Sequence, residues 1–189
     1  MIRKVLAASA ILLAACATAN VQEALPSADA PAPGPDEGVY PSMMRMTGEI
    51  VGVDGAVIGA LNMLEGPNGV LIEVTINAGG LAPGWHGLHL HQVGSCEDIG
   101  TFKLSGGHVG KVEGGHGLLN PVGPEGGDLP NIFAAGDGSA GYEAFSSRFA
   151  LSEFADSDGA ALIIHAGRDD HLSQPIGGAG DRVACAVIG

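Results

Sequence analysis

Positive charge is scarce in this chain of 189 residues. It has 8 lysine and arginine residues against 21 aspartate and glutamate residues, which gives a formal charge of −13. No segment carries a basic stripe, and the sequence therefore argues against nucleic acid as a partner. Long repeats with a helical or heptad period are also absent, whereas glycine is abundant at 32 residues. This combination predicts short strands joined by glycine-rich loops rather than a helical bundle.

Eight short segments have the apolar pattern of β-strands. The clearest lies at residues 70–77, where Val70, Ile72, Val74 and Ile76 would share one face of a strand. The eight predicted strands are 44–53, 56–64, 70–77, 88–91, 131–134, 142–149, 161–165 and 183–188. Because these strands are short and no segment predicts a helix, we expect an all-β fold, as an antiparallel sandwich or barrel.

The N-terminal residues have the features of a targeting segment. Arg3 and Lys4 precede an apolar run at residues 5–14 that is too short for a membrane span. The run ends in Leu-Ala-Ala-Cys at residues 13–16, which resembles the cleavage box of bacterial lipoproteins. This resemblance implies a signal peptide at residues 1–15 and lipidation of Cys16, with ordinary secretion as the alternative. Residues 16–39, rich in Ala, Pro and acidic residues, predict a flexible tether before a folded domain at residues 40–189.

Histidines are concentrated in one part of the chain, since five of the seven fall within residues 84–128. His89 and His91 are two positions apart in a predicted strand, so they project from one face at a separation of about 6–7 Å. Neutral imidazoles in that arrangement can chelate one transition metal. His86 has the opposite parity, and we interpret it as a satisfied core or surface residue. The segment at 92–130 is long and glycine-rich, and loops of this length are usually functional or disordered.

Cysteines are few, with one each at positions 16, 96 and 185. If Cys16 is lipidated, Cys96 and Cys185 are left to pair in the oxidising cell envelope. Such a disulfide would tie the start of the long loop to the last predicted strand.

From about residue 44 to residue 189, the sequence resembles a copper/zinc superoxide dismutase of the bacterial envelope type. The matching motifs are GLHLH at 87–91, GSC at 94–96, GGH at 106–108, GDLP at 127–130, IH at 164–165 and GDRVAC at 180–185. The resemblance implies an eight-stranded Greek-key barrel or sandwich of the immunoglobulin-like type with long glycine-rich metal-binding loops. It also implies that superoxide is converted to dioxygen and hydrogen peroxide by copper, which a histidine bridges to zinc.

The same resemblance assigns residues to the two metals. It implies copper ligands at His89, His91, His108 and His165, and zinc ligands at His108, His116 and Asp128. Where the family has a further zinc histidine, this chain has Glu125. Zinc also accepts carboxylate oxygen, so we predict that Glu125 takes that place, with a solvated Glu125 as the alternative.

Two further residues gain a role from the resemblance. Asp169 would hydrogen-bond His89 and His116 and so orient both rings. Arg182 would guide the anion, and a structural role in bonds to loop carbonyls is the alternative. His171 matches no family position and is predicted to be solvated. Because the chain is acidic, attraction of superoxide depends on the local field, for which the candidate cations are Lys103, Lys111, Arg168 and Arg182.

The resemblance places the protein in the periplasm of a bacterial envelope, with a lipid anchor in the outer membrane as its only membrane contact. Its partner would be a small anion, superoxide, and the sequence leaves open whether the protein forms a homodimer. The alternative function is a non-catalytic lipoprotein that binds copper or zinc in order to buffer or deliver it. The complete set of copper histidines, together with Arg182, favours the enzyme.

Overall fold

The computed structural model of the protein describes residues 43–188. The predicted signal peptide, the lipidation site Cys16 and the tether to residue 39 lie outside the described residues. Residues 43–188 contain no helix that is both long and apolar enough to cross a membrane. They form the strands β1 Arg45–Gly52, β2 Val57–Gly66, β3 Gly69–Ile76, β4 Gly84–His86, β5 Leu88–His91, β6 Ile132–Ala134, β7 Ala140–Ser146, β8 Ala160–His165 and β9 Arg182–Ile188, with short 3-10 turns at Lys103–Ser105 and Leu151–Phe154.

Every predicted strand has a counterpart, but the count and some bounds differ. The additional strand, β4, precedes β5 directly, and only Gly87 separates the two. A Cβ atom at Gly87 would lie 2.8 Å from the Cβ of Ala179, so the close approach of another segment requires glycine at this point. The predicted strand at 142–149 is shifted, since β7 spans Ala140–Ser146. Phe149 instead packs on Phe154, with ring centroids 5.2 Å apart.

The strands form one curled antiparallel sheet in the order β5-β8-β9-β1-β2-β3-β7, and β4 pairs separately with β6. The neighbours β5 and β8, β9 and β1, and β3 and β7 are not consecutive in the chain, so crossover connections join them. The segment from β4 to β5 belongs to both sheets and connects them. This arrangement confirms the all-β prediction and the sandwich or barrel architecture.

The core follows the predicted alternation. Val70, Ile72, Val74 and Ile76 of β3 are between 0% and 2% exposed, and they lie in the main hydrophobic cluster. Strand β8 is buried on both faces. One face contributes to the main cluster, and the other belongs to a second cluster of Phe102, Ala161, Ile163 and Cys185.

A disulfide joins Cys96 to Cys185 across 89 positions of sequence, as the cysteine count predicts. It fastens the first part of the long loop to β9, beside the second cluster. The loop therefore covers the outer face of β8 and β9.

The pairing of β5 with β8 determines where the first histidines lie. His89 is opposite Ile163 and His91 is opposite Ala161, so both histidines share the outer face with the second cluster. Leu88 and Leu90 point to the other face and are fully buried in the main core. The apolar alternation of this strand thus anchors it in the core and presents both imidazoles to the long loop.

Candidate metal centre

The long loop, rather than a regular strand, lies along the remaining edge of β5. The Leu90 N–H donates to the Gly127 carbonyl at 2.9 Å, and the Val109 N–H donates to the Leu90 carbonyl at 2.9 Å. A Cβ atom at Gly127 would come within 2.2 Å of the Leu90 oxygen, so this contact requires glycine. As a result, His108 is held opposite His91, and Asp128 is held opposite His89.

Four buried imidazole rings converge on the outer face of β5 and β8. The centroid of the His89 ring lies 4.3 Å from that of His108 and 4.8 Å from that of His165. The His91 centroid lies 5.0 Å from that of His108. Strands β5 and β8 thus supply three of the rings, and the loop supplies the fourth.

Each of these rings is fixed by one nitrogen and leaves the other without a partner. The His91 and His165 Nδ1–H groups donate to the carbonyls of Gly106 and Gly180, each at 2.9 Å. His89 Nε2 is hydrogen-bonded to Asp169, and His108 Nδ1 is hydrogen-bonded to Glu125, each at 2.8 Å. Within residues 43–188, His89 Nδ1 and the Nε2 atoms of His91, His108 and His165 are buried without a hydrogen-bond partner. Such buried polar atoms are costly unless something binds them.

Burial also keeps three of the rings neutral. It lowers the pKa of His89 to about 4, although a hydrogen bond to Asp169 opposes this shift. Burial, with the positive charge of Arg182 as the next cause, lowers the pKa of His91 to about 2. Burial lowers the pKa of His165 to about 3, and the neighbouring His89 adds to this shift. Near neutral pH these rings therefore offer lone pairs, as a transition metal requires.

A second donor set shares the ring of His108. His108 Nδ1 lies 2.8 Å from Glu125 Oε2 and 3.2 Å from Asp128 Oδ1, and His116 Nδ1 lies 2.8 Å from the same Asp128 oxygen. A tetrahedral zinc ion with bonds of about 2.0–2.1 Å would separate its ligand atoms by roughly 3.3 Å. The observed separations are close to that value, so His108, His116 and Asp128 fit one zinc ion after a slight expansion. Glu125 lies against His108 but is not among the donor atoms that lie within 4.8 Å of one another in this set.

Hydrogen bonds hold the carboxylate of Asp128 in this position. Its second oxygen accepts the N–H groups of Gly117 at 2.7 Å and Glu125 at 2.9 Å. Burial raises the pKa of Asp128, but bonds from His108 and His116 outweigh burial and hold the pKa far below its usual range. Burial lowers the pKa of His116, but Asp128 and Asp169 outweigh it and raise that pKa to about 10. In the metal-free protein, His116 therefore carries a proton that a bound cation would replace.

Asp169 connects the two donor sets. One of its oxygens accepts from His89 Nε2 at 2.8 Å, and the other lies 3.3 Å from His116 Nε2. Burial raises the pKa of Asp169, but hydrogen bonds from His116 and His89 outweigh burial and hold it well below its usual range. A Cβ atom at Gly177 would lie 1.6 Å from Oδ1 of Asp169, so the glycine-rich run at 177–180 is needed where the chain passes this carboxylate.

Two positioning residues were not predicted from the sequence. The Asn131 side chain donates to the Asp169 carbonyl at 2.8 Å and accepts the Asp169 N–H at 2.9 Å. Gln174 makes the same reciprocal pair with the backbone of His116, at 2.9 Å and 3.2 Å. These bonds cross 38 and 58 positions of sequence, respectively. The only local signal is that Asn131 directly follows the GDLP motif at 127–130, whereas Gln174 borders none of the named motifs.

Two histidines outside the donor sets have structural contacts. The prediction that His171 is solvated is wrong: its side chain is 17% exposed, and its Nε2 accepts from Asn131 at 2.9 Å. The backbone N–H of His171 also donates to the Asp169 carboxylate at 2.6 Å, which explains why His171 tolerates a φ of 62°. His86 is a buried core residue, as interpreted from its parity. Its ring nitrogens lie 2.7 Å from the carbonyls of Ala82 and His165.

Arg182 is the first residue of β9. It makes the hydrogen bonds to loop carbonyls that were given as the alternative to an anion-guiding role. Its guanidinium donates to the carbonyls of Phe102 at 2.6 Å and Gly106 at 2.8 Å, and to Ser105 Oγ at 2.8 Å. Burial lowers its pKa from the usual value. A guanidinium has five N–H groups, so two remain for another ligand.

Cavities open beside both donor sets, and Arg182 lines two of them. One, of about 730 Å³, also contacts His165 and Lys103, and the other, of about 600 Å³, contacts His91, His108 and Lys111. The Lys111 Nζ lies 3.9 Å from where a Cβ atom of Gly107 would be, so this ammonium reaches the rim of the centre. Arg168 lies elsewhere, over the ring of Trp85 at 5.7 Å from its centroid.

The donor atoms form two groups that could each hold a metal ion. Those of His89, His91 and His165 lie within 4.8 Å of one another, as do those of His89, His108, His116 and Asp128. His89 belongs to both groups, and the ring of His108, which belongs to the second, lies 4.3 Å from that of His89 and 5.0 Å from that of His91. The Nδ1 atom of His108 faces the carboxylates and its Nε2 has no partner, whereas His89 Nε2 is bonded to Asp169. The fold and site therefore define an all-β metalloprotein with adjoining copper-type and zinc-type sets.

Comparison with known proteins identifies the family. Residues 57–188 match the family model described as copper/zinc superoxide dismutase (SODC). A protein of Caulobacter vibrioides named Superoxide dismutase [Cu-Zn] is 47% identical over 144 residues, which cover 71% of this chain and 80% of the relative. An Aquifex aeolicus protein named Superoxide dismutase [Cu-Zn] 2 is 38% identical over 151 residues, which cover 77% of this chain and 86% of the relative. The chain belongs to the copper/zinc superoxide dismutase family.

Solved structures support the same fold. The Cu/Zn superoxide dismutase of Brucella abortus is similar with a TM-score of 0.63 and 29% identity, over 77% of this chain and 100% of that one. A superoxide dismutase-like protein of Bacillus subtilis has a TM-score of 0.67 and 31% identity, over 75% of this chain and 96% of that one. These likenesses agree with the curled antiparallel sheet described above.

Proposed function

We propose that the protein converts superoxide to dioxygen and hydrogen peroxide in a copper-dependent reaction, with zinc as a structural partner. The observation that carries the proposal is the set of four buried ring nitrogens without partners, one on each of His89, His91, His108 and His165. Imidazole nitrogen is a suitable ligand for copper, and mixed imidazole and carboxylate donors suit zinc. The relatives named as Cu-Zn superoxide dismutases support the same conclusion.

The copper ligands would be the four histidines with partnerless nitrogens, and the zinc ligands would be His108, His116, Glu125 and Asp128. When bound, copper supplies a one-electron cycle in which one superoxide is oxidised to dioxygen and a second, with two protons, is reduced to hydrogen peroxide. His108 presents Nε2 to the copper set and Nδ1 to the zinc set. Its Nε2 is the atom at which this residue can hold a proton for the departing peroxide. Asp169 keeps His89 and His116 in their orientations.

Arg182 would bind the anion beside the copper ligands. Three of its N–H groups are used on the loop, which fixes the position of the guanidinium without satisfying all of its donors. It lines the cavities that also contact His165 and His91. A fixed cation at an open cavity favours an enzyme that admits an anion over a protein that only stores metal.

The location of the protein is proposed from its sequence and its relatives. Bacterial members of the family generally work in the periplasm. The further proposal is that residues 1–15 are removed and that a lipid on Cys16 anchors residues 16–39 and the domain that follows, at the outer membrane. Labelled palmitate should enter the wild-type protein, and no incorporation beyond that of Cys16→Ala would refute the anchor.

Metal analysis of the purified protein, paired with a dismutase assay, tests the proposed function. The metal-stripped protein is loaded with copper and zinc, and its activity is compared with that of the same copper concentration free in solution. We expect one copper per chain and activity well above that of free copper. Stoichiometric copper without such activity would support the alternative of a copper buffer.

A further inference from the structure

Glu125 is held in place more firmly than an incidental loop residue would be. It is 3% exposed, and its Oε1 accepts the Val112 N–H at 3.1 Å. Its own N–H donates to Asp128 at 2.9 Å. The other oxygen, Oε2, lies 2.8 Å from His108 Nδ1. The carboxylate is therefore oriented toward one ring nitrogen.

Asp128 is a weaker partner for that nitrogen. Its Oδ1 is 3.2 Å from His108 Nδ1 and is already bonded to His116 at 2.8 Å. Its Oδ2 is occupied by two backbone N–H groups. Of the two carboxylates, Glu125 is thus the nearer and less committed acceptor for His108.

This contact determines where His108 carries its proton. A neutral imidazole has one N–H and one lone pair, and an ionised carboxylate can only accept. Because Nδ1 faces Glu125, Nδ1 must be the donor, and the lone pair is left on Nε2. That Nε2 atom is the buried, partnerless nitrogen of a ring that lies beside the rings of His89 and His91.

A histidine at position 125 would provide this orientation less well. Its acceptor would be a neutral nitrogen, available in only one of its own tautomers. Hydrogen bonds to charged groups are also stronger than those between neutral groups. The carboxylate that departs from the family pattern is therefore better suited to holding His108 in the absence of zinc.

We propose that Glu125 fixes the Nδ1–H tautomer of His108 in the zinc-free protein and thereby keeps the copper site assembled when zinc is absent. This inference rests on the proposed function in one respect, since it takes His108 as a copper ligand. It assigns Glu125 two alternating partners: the zinc ion when it is bound, and the His108 N–H when it is not.

The first test reads the tautomer directly. Long-range proton–nitrogen NMR correlation of the full, metal-free protein distinguishes Nδ1–H from Nε2–H at His108. We expect Nδ1–H in the wild type and in Glu125→Gln, whose amide oxygen can still accept, and a loss of this preference in Glu125→Ala. Glu113→Ala removes an exposed acidic residue from the same loop and serves as the matched control, with His108 unchanged.

The second test measures copper affinity by chelator competition, with copper alone and with copper plus zinc. The zinc-free wild type should hold copper within about threefold of the zinc-loaded protein. Zinc-free Glu125→Ala should bind copper more weakly by about tenfold or more, as expected for loss of one hydrogen bond to a charged group. Glu125→Gln should lie between them, and because it has nearly the size of the wild-type residue, it separates the effect from misfolding.

An Nε2–H tautomer in the wild type would overturn the proposal, as would unchanged tautomer and zinc-free copper affinity in Glu125→Ala. A different result would count against the proposed function instead. If His108→Ala left the electron paramagnetic resonance spectrum of bound copper unchanged, His108 would not be a copper ligand, whatever its tautomer.

Discussion

Replacing Arg182 should separate its structural role from its role toward the anion. Arg182→Met removes three hydrogen bonds of 2.6–2.8 Å and leaves the carbonyls of Phe102 and Gly106 and the Ser105 hydroxyl without this donor. A hydrogen bond to a charged group contributes about 1.5–3 kcal/mol. Because the guanidinium is only half-buried, water can replace part of this, and we expect the free energy of unfolding to fall by about 2–4 kcal/mol. For a domain of this size, the melting temperature should drop by roughly 5–15 °C.

The same change should also slow the capture of superoxide. Removal of a cation that lines both cavities weakens the local attraction for an anion, and we expect kcat/KM to fall about tenfold at low ionic strength, with a smaller dependence on salt. Arg182→Lys retains the charge but lacks the planar fork of donors. It should recover more of the activity than of the stability. Pulsed-radiolysis kinetics and thermal unfolding measure the two effects in the same samples.

Two outcomes would refute this reasoning. If Arg182→Met loses stability but keeps kcat/KM within about twofold of the wild type at low salt, then Arg182 only stabilises the loop and has no role toward the anion. If Arg182→Lys recovers stability but no activity, then positive charge is not what the substrate requires at this position.

Three further predictions concern the donor sets. Metal-free protein should lose stability as pH falls from about 6.5 toward 4, by up to about 4 kcal/mol per pH unit. The reason is that three copper-side histidines have folded-state pKa values of about 2 to 4, so the unfolded chain binds protons that the folded one excludes; a flat denaturation midpoint over that range would contradict this. Gly177→Ala should displace the Asp169 carboxylate and weaken zinc binding about tenfold or more. Gly178→Ala is the matched control, because it has a similar positive φ but open space around it, and equal effects of the two changes would point to backbone strain alone. Glu125→His should tighten zinc binding and leave copper binding nearly unchanged when zinc is present, whereas Glu125→Ala should weaken zinc binding. Zinc bound to Glu125→Ala as tightly as to the wild type would show that the carboxylate is not a ligand.

The parts of the fold that follow a local period could be predicted from the sequence. The alternation in β3 identifies its buried face, and the alternation of Leu88 and Leu90 with His89 and His91 identifies which face of β5 carries imidazole. In both cases the side-chain direction depends only on neighbouring residues. The N-terminal and C-terminal bounds of the strands are less certain, because hydrogen bonds to distant strands determine them.

The path of the long loop could not be predicted in the same way. Its position along β5 depends on backbone bonds from Val109 and Gly127, and its attachment depends on Asn131 and Gln174, whose partners are distant in sequence. The contacts of His171 could not be predicted for the same reason, since its partner Asn131 is 40 positions away in the sequence. The glycines near residue 177 did carry a signal, namely that another group passes close by, but the sequence does not say which group.

The position of β9 in the sheet has a consequence for how the centre is completed. Strands β1, β2, β3 and β7 form one ladder and β5 and β8 form another, and only β9 connects the two. This last strand also brings Cys185 to Cys96 and Arg182 to the loop. A chain interrupted before Arg182 would have all seven histidines but no joined sheet to hold them against the loop. Completion of the metal centre therefore depends on β9, because a chain without this strand lacks both the disulfide partner of Cys96 and the connection between the two ladders.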